Sequence, residues 1–191
     1  DLFNGHASGG GNAGYLELIT FYNPKIKVLY TTGEYAPYRN KKNQYRYDYL
    51  FERHGVKLAR HRHVEQLPID DFVNNSDVIF GIGSISALSS YKKDEKNIYQ
   101  ILPSTNSELS FINHKFINKS FLYFGGNGSI HKGLDLCLDI FLKSELTLHI
   151  CTSKYEKDFW DFYEPKIKNK KNIIFHGFVD IETEKFRNIS K

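Results

Sequence analysis

The amino-acid sequence predicts an α/β protein built from two parallel sheets with helices packed against them. Short apolar runs alternate with amphipathic segments along the chain, and this alternation is typical of parallel sheets wrapped by helices. A polar stretch at 107–119, rich in Asn, Ser and Lys, interrupts the alternation. We therefore predict two Rossmann-like domains, at 1–106 and 120–191, joined by a linker at 107–119.

The elements of the first domain follow from the spacing of its apolar residues. The pattern predicts an amphipathic helix at 13–21 and a strand at 26–31. A helix at 45–54 ends at Gly55, a residue that suits a helix end, and a strand is predicted at 56–59. The remaining elements are a helical turn at 70–74, a strand at 77–82, a helix at 84–91 and a strand at 98–102.

Composition narrows the classes of function. The chain has 26 basic and 22 acidic residues mixed throughout, so its formal charge of +4 does not favour a nucleic acid as partner. A slightly basic surface does suit peripheral association with an anionic membrane. No run approaches the roughly 20 consecutive apolar residues of a membrane span. Cys137 and Cys151 lie in apolar runs and are interpreted as reduced core thiols of a cytoplasmic protein.

The most informative segment of the second domain is 121–133, Phe-Leu-Tyr-Phe-Gly-Gly-Asn-Gly-Ser-Ile-His-Lys-Gly. Its apolar start predicts a strand, three glycines predict a loop, and an amphipathic helix begins near Lys132. Glycines let backbone N–H groups approach a ligand, a helix start attracts anions, and Lys132 adds a positive charge. The segment predicts a phosphate or diphosphate site, with an ordinary strand–loop–helix joint as the alternative.

The spacing of this segment differs from the two commonest phosphate motifs. A Walker loop requires Gly-Lys-Ser/Thr, whereas Lys132 is followed by Gly133. The dinucleotide fingerprint has a glycine three residues after its second glycine, and His131 stands there instead. The sequence therefore disfavours magnesium-dependent nucleotide hydrolysis and the dinucleotide fold motif.

The segment Gly-Gly-x-Gly-x-x-x-Lys-Gly-Leu-Asp-Leu at 125–136 resembles the start of the donor-binding domain of GT-B glycosyltransferases, in particular retaining family 4. The segments 146–150, 158–163 and 172–179 are similar to the next strand, helix and strand of that family, and 101–106 resembles the strand that ends its N-terminal domain. The resemblance implies the two domains of the GT-B type, both incomplete in this chain.

The resemblance also implies an activity. A sugar would be moved, with retention, from a nucleotide diphosphate sugar to a glycan or lipid-linked acceptor in polysaccharide biosynthesis, in the cytoplasm or at a membrane surface. No metal and no cofactor besides the donor is implied. Lys132 would be the catalytic residue, in contact with the diphosphate. The diphosphate-binding residues that the resemblance implies are Gly125, Gly126, Asn127, Gly128, His131 and Lys132.

The chain departs from the family pattern at three places. Asn127 stands where the family commonly has an arginine, and Gly33 or Glu34 stands where it has a histidine. Glu34 is a candidate to accept a hydrogen bond from a sugar hydroxyl, with an exposed turn residue as the alternative. The acidic Glu-x7-Glu motif of the family has no counterpart up to Lys191, so we expect this segment alone to be inactive.

A basic cluster, Arg60-His61-Arg62-His63, follows the strand predicted at 56–59. Arg60 and Arg62 are candidate contacts for an anionic acceptor or for the diphosphate, and a solvated basic strand end is the alternative. His61 and His63 have no acidic or thiol partners at metal-ligand spacing, so we predict no metal site.

Two other functions remain open on the sequence alone. A GT-B nucleotide-sugar epimerase would share the diphosphate site but would lack an acceptor groove. A non-catalytic nucleotide- or glycan-binding module is suggested by Asn127 and by the missing acidic motif.

Overall fold

The computed structural model describes residues 2–6, 15–61, 69–91, 97–103 and 119–190, and it shows parallel sheets with helices between their strands. The strands are β1 (Leu2–His6), β2 (Ile26–Thr31), β3 (Val78–Ile82), β4 (Ile98–Ile101), β5 (Ser120–Phe124), β6 (Thr147–Cys151) and β7 (Ile173–Gly177). The helices are α1 (Tyr15–Tyr22), α2 (Ala36–His54), α3 (Ile69–Asn74), α4 (Ile85–Leu88), α5 (Leu134–Phe141), α6 (Lys157–Ile167) and α7 (Glu184–Ile189). One sheet has the order β1-β2-β3-β4 and the other the order β5-β6-β7. The predicted α/β class with two parallel sheets is confirmed.

The chain forms two compact units. The first holds Asp1–Lys42 and His63–Leu109, and the second holds Asn43–Arg62 and Ser110–Lys191. This division differs from the predicted one, which places 43–62 in the first domain. The reason is packing, because Tyr47 and Leu50 are buried in the core of the second unit. Most of the predicted linker at 107–119 lies outside the described residues.

The first unit is built around its inner strands. Strand β2 pairs in parallel with both β1 and β3, and its adjacent residues Val28 and Leu29 are both buried, so both of its faces are covered and its centre is apolar in the sequence. Its predicted bounds are the observed ones. The buried core residues of this unit are Ile19, Leu29, Phe72, Val73, Ile79 and Tyr91.

The core of the second unit lies between its sheet and three helical segments. Helix α5 buries Leu134, Leu138 and Phe141, whose spacing places them on one helix face. Strand β6 contributes Leu148 and Ile150, which alternate along the strand as residues of one sheet face do. Further core side chains come from α6 and from the second half of α2, namely Tyr47, Leu50, Phe159, Trp160 and Tyr163.

Helix α2 begins nine residues earlier than the helix predicted at 45–54. The added segment is polar and lacks an apolar period, which is why the pattern missed it. Pro37 lies in the first turn, where the missing N–H of proline is harmless, and Arg39, Lys41 and Lys42 are good helix formers.

The strand predicted at 56–59 is wrong. Val56 and Leu58 pack against the core of the second unit, which explains their alternating pattern. The backbone does not pair with a strand, because the Ala59 N–H donates to Asp158 Oδ2 at 2.6 Å and the His61 N–H donates to the Tyr47 hydroxyl at 3.2 Å.

Helix α4 is shorter than the predicted helix at 84–91. The Ser84 side chain caps its start by accepting from the Ala87 N–H. Its end is marked by hydroxyls that bond back to the chain, since Ser89 donates to the Ser86 carbonyl at 3.0 Å and Ser90 donates to the Ala87 carbonyl at 2.5 Å. Such side-chain bonds compete with a continued helix.

Two histidines meet across neighbouring strands of the second unit. His149 Nδ1 lies 2.9 Å from His176 Nε2, and the two rings stack with their centroids 5.2 Å apart. One ring must donate and the other accept, so the bond requires a neutral imidazole. Burial, then the neighbouring His149 and then Lys185 lower the pKa of His176.

Acidification is expected to destabilise the protein through this pair. The unfolded chain binds a proton at His176 near the ordinary pKa of about 6.5, whereas the folded chain binds it only at lower pH. The free energy of unfolding should therefore fall as the pH drops below about 6.5, down to the folded pKa. Urea unfolding at a series of pH values tests this, and His176→Gln should reduce the slope. An equal slope in both proteins would contradict the expectation.

Candidate functional site

The glycine-rich loop connects β5 to α5 in the second unit, as the sequence predicts. Strand β5 ends at Phe124 and α5 begins at Leu134. The Gly125 N–H donates to the Cys151 carbonyl at 3.0 Å, and the Thr152 hydroxyl donates to the Gly126 carbonyl at 3.2 Å. The loop therefore starts at the carboxyl edge of the sheet, against the end of β6, where open α/β sheets bind ligands.

Two glycines of the loop are required by its geometry. A Cβ at Gly125 would lie 2.9 Å from the Tyr123 ring, which is too close for any side chain. Gly128 has a φ of 101°, a backbone conformation that residues with a side chain rarely adopt. A local reason thus exists for each of these glycines, independent of any ligand.

Lys132 folds back over the loop. Its side chain is exposed, and its Nζ lies 3.5 Å from the position that a Cβ on Gly126 would occupy. Among the described residues Lys132 forms no ion pair. The ammonium group is therefore held beside the loop backbone rather than neutralised by a carboxylate.

The loop offers backbone donors beside this ammonium group. Within the described ranges, the N–H groups of Gly126 and Gly128 have no protein acceptor. The neighbouring Ser129 N–H is occupied, because it donates to Glu156 Oε2 at 2.7 Å. The loop before α5 therefore carries two backbone donors without a described protein acceptor and one ammonium group beside Gly126.

Glu156 is a buried carboxylate beneath the loop. The residue is 2% exposed, and its Oε1 has no hydrogen-bond partner in the part of the chain that is described. It precedes α6, and its backbone carbonyl accepts from the Trp160 N–H at 3.2 Å. Sequence reasoning missed Glu156, because it belongs to no motif and its contact with Ser129 spans 27 positions.

The two remaining polar loop residues are exposed. Asn127 Oδ1 accepts from the Ser153 hydroxyl at 2.7 Å, so its amide is oriented toward the chain that follows β6. His131 is exposed next to Lys132. Their assignment to a diphosphate stays a prediction.

The first turn of α5 is anchored by a buried carboxylate. Asp135 is fully buried and forms ion pairs with Arg46, at 2.8 Å, and with Arg53, both on α2. Burial raises the pKa of the Asp135 carboxyl, while Arg46 and Arg53 act in the opposite direction. A carboxylate in the first turn also interacts favourably with the helix dipole.

One turn further along α5, Asp139 extends this network. It pairs with Arg53 and, at 2.8 Å, with His54 Nε2, and its other oxygen accepts from the Tyr163 hydroxyl at 3.1 Å. Burial, and then the charges of Asp139 and Asp135, raise the pKa of Tyr163. The network binds α2, α5 and α6 to one another beneath the loop.

The other predicted contacts lie elsewhere. Glu34 follows β2 in the first unit and pairs with Lys42 at 2.6 Å. Arg60 is exposed in the second unit, and Arg62 and His63 lie outside the described residues. His61 Nε2 lies 2.7 Å from Asp158 Oδ1 and so has an acidic partner, which the sequence did not predict.

Hydrogen bonds from His61 and Ala59 stabilise the charged form of the Asp158 carboxylate. Burial alone would raise the pKa of Asp158, but the hydrogen bonds from His61 and from the Ala59 N–H outweigh it and lower the pKa.

Within the described ranges no three His, Cys, Asp or Glu side chains form a group that could hold a metal ion. A helix with the length and apolar character of a membrane span is also not found there.

Comparison of the chain with protein-family models, with curated proteins and with solved structures gives no match. A functional conclusion therefore depends on the geometry of the loop and on the motif it carries.

Proposed function

We propose that the protein is a glycosyltransferase that moves a sugar from a nucleotide diphosphate sugar to a glycan or lipid-linked acceptor, with retention. The observation that carries this proposal is the position of Lys132 Nζ beside Gly126, at the carboxyl edge of a parallel sheet. The N–H groups of Gly126 and Gly128, which have no protein acceptor among the described residues, support it, because together with the ammonium group they suit a diphosphate.

The chemistry proposed for this site is stabilisation of a leaving group. When the bond between the anomeric carbon and the diphosphate breaks, negative charge accumulates on the phosphate and the sugar becomes oxocarbenium-like. Lys132 and the Gly126 and Gly128 N–H groups would stabilise that charge, and the start of α5 adds its positive dipole end. In this proposal the fixed groups of the protein neutralise the diphosphate and no metal ion takes part.

The candidate acceptor contacts of the proposal are Glu34 in the first unit and Arg60 in the second. Glu34 lies after the carboxyl end of β2 and is a candidate contact for a sugar hydroxyl, and exposed Arg60 is one for an anionic acceptor. Lipid-linked acceptors reside at membranes, so a cytoplasmic enzyme at the membrane surface fits the proposal.

A second candidate function is a nucleotide-binding module without catalysis. Asn127 favours it, because a neutral amide at this position stabilises the charge that develops on a leaving phosphate less than a guanidinium would.

Titration calorimetry with UDP, GDP and ADP tests the diphosphate site. We expect at least one of them to bind, and we expect Lys132→Gln to weaken its binding while Lys143→Gln, an exposed lysine just after α5, leaves it unchanged. Absence of binding to all three at millimolar concentration would overturn the proposal. Where binding is found, acceptor-dependent release of the nucleotide distinguishes a transferase from an epimerase or a binding module.

A further inference from the structure

We infer that Arg46 is a positioning residue for the diphosphate loop, acting through the backbone of Ile130. This inference rests on the proposed function, because it assumes that the loop binds a diphosphate. It goes beyond the glycine-rich motif at 125–136, because Arg46 lies outside that motif and its contact with Ile130 is not predicted by it. Arg46 belongs to α2 and, with residues 43–62, to the second unit.

One guanidinium group joins the loop to α5. Arg46 Nε and Nη2 lie 3.3 and 3.2 Å from the Ile130 carbonyl oxygen, and Nη2 also lies 2.8 Å from Asp135 Oδ1. A planar guanidinium presents its N–H groups in a fixed fork, so it can hold both acceptors in one geometry. Arg46 thus fixes the loop carbonyl relative to the first turn of the helix.

The carbonyl that Arg46 holds lies at the centre of the loop turn. The Ile130 carbonyl also accepts from the Gly133 N–H at 3.1 Å, and the Gly128 carbonyl accepts from the Lys132 N–H at 2.8 Å. The Ile130 side chain itself is buried in the core of the second unit. A shift of this carbonyl would move the turn that carries Lys132.

The same turn is also held by Glu156, which accepts the Ser129 N–H at 2.7 Å. Arg46 therefore donates to the turn and Glu156 accepts from it, at adjacent residues. The Gly126 and Gly128 N–H groups, which have no acceptor in the part of the chain that is described, and the ammonium group of Lys132 depend on a turn that these two contacts fix. Preorganised donors of this kind lose their effect when the loop moves.

Arg53 provides a matched control on the same helix. It also pairs with Asp135, and the two side chains are similarly exposed, 21% for Arg46 and 19% for Arg53. Arg53 has no described contact with the loop, since its partners are Asp135 and Asp139. Arg53→Gln therefore removes the second ion pair of Asp135, together with the pair to Asp139, and leaves the Ile130 carbonyl in place.

The experiment compares Arg46→Lys, Arg46→Gln and Arg53→Gln in the intact protein, by calorimetry with the nucleoside diphosphate that binds best. Lysine keeps the charge but cannot reach both acceptors with a fork. We expect Arg46→Lys and Arg46→Gln to weaken binding by about fivefold to tenfold, less than the loss of a hydrogen bond to a charged group, because Arg46 acts through the loop backbone. Arg53→Gln should change the affinity less than twofold, even where it lowers the thermal midpoint equally.

Hydrogen exchange of the Lys132 and Gly133 amides provides a readout that needs no ligand. Faster exchange of these amides in Arg46→Lys than in Arg53→Gln supports the inference even where the wild-type protein binds no nucleotide, an outcome that overturns only the proposed function. Equal exchange and equal affinity in the two variants would overturn the inference. If Arg46→Gln fails to fold, the double variant Arg46→Gln/Asp135→Asn removes both buried charges and serves in its place.

Discussion

If the protein transfers sugar as proposed, replacing Lys132 by alanine is expected to lower the rate about 10²–10³-fold, as the loss of one preorganised donor to a developing charge typically does. The free energy of unfolding should change little, because the side chain is exposed and forms no ion pair within the described residues. Initial rates with a labelled donor and thermal unfolding of the same preparations give the two quantities. A loss in kcat and in kcat/KM together would mark an interaction made in the transition state.

Lys143→Ala is the matched control for this substitution. Lys143 is an exposed lysine at the far end of the same helical segment, so its loss removes an equal charge without touching the loop. Both rate and stability should stay at the wild-type values. A large loss of stability in Lys132→Ala, with the rate falling in proportion to the unfolded fraction, would instead indicate that the loop is an ordinary strand–loop–helix joint.

The substitution Asp135→Asn is expected to lower the free energy of unfolding by about 3–5 kcal/mol, the usual cost of leaving buried charges without their partner. Arg46 and Arg53 both depend on this carboxylate, and it is fully buried. Asparagine keeps the shape of the side chain, so the loss reports the charge rather than a cavity. Urea unfolding followed by circular dichroism measures the change.

Asp161→Asn provides the comparison for the ion-pair effect. Asp161 pairs with Lys157 one turn earlier on α6, and the two side chains are 61% and 84% exposed. Exposed pairs of this kind contribute little, so no measurable change in stability is expected. An equal loss of unfolding free energy in Asp135→Asn and Asp161→Asn would contradict this expectation, and so would an unchanged stability in Asp135→Asn. Either result would mean that the ion pairs of Asp135 with Arg46 and Arg53 do not hold α2 against α5.

The sequence predicted those strands, loops and helices whose formation depends on residues close together in the chain. Strand β2 was predicted at its observed bounds because burial on both faces, at Val28 and Leu29, gives it an apolar run. The joint at 125–133 was predicted because its glycines, its strand and its helix start adjoin one another in the sequence. The bounds of α2 were predicted less well, because a polar helical segment carries no apolar period.

The features that sequence reasoning missed depend on contacts between distant positions. The segment 56–59 alternates like a strand, but Ala59 bonds to Asp158, a side chain 99 positions away. Glu156 and Arg46 contact the loop from outside its motif, at separations of 27 and 84 positions. No periodicity or spacing rule connects such residues, so the support beneath the candidate site becomes visible only in the fold.

The assignment of residues 43–62 to the second unit has a consequence for biosynthesis. Arg46 leaves the ribosome 89 residues before Asp135, its partner on α5. At typical rates of translation this interval is about 4–18 s. During that time the buried face of α2, with Tyr47 and Leu50, has no native core to cover it. The second unit therefore completes its core only after α5, β6 and α6 have been synthesised, and until then α2 exposes an apolar surface of the kind that aggregates or that chaperones bind.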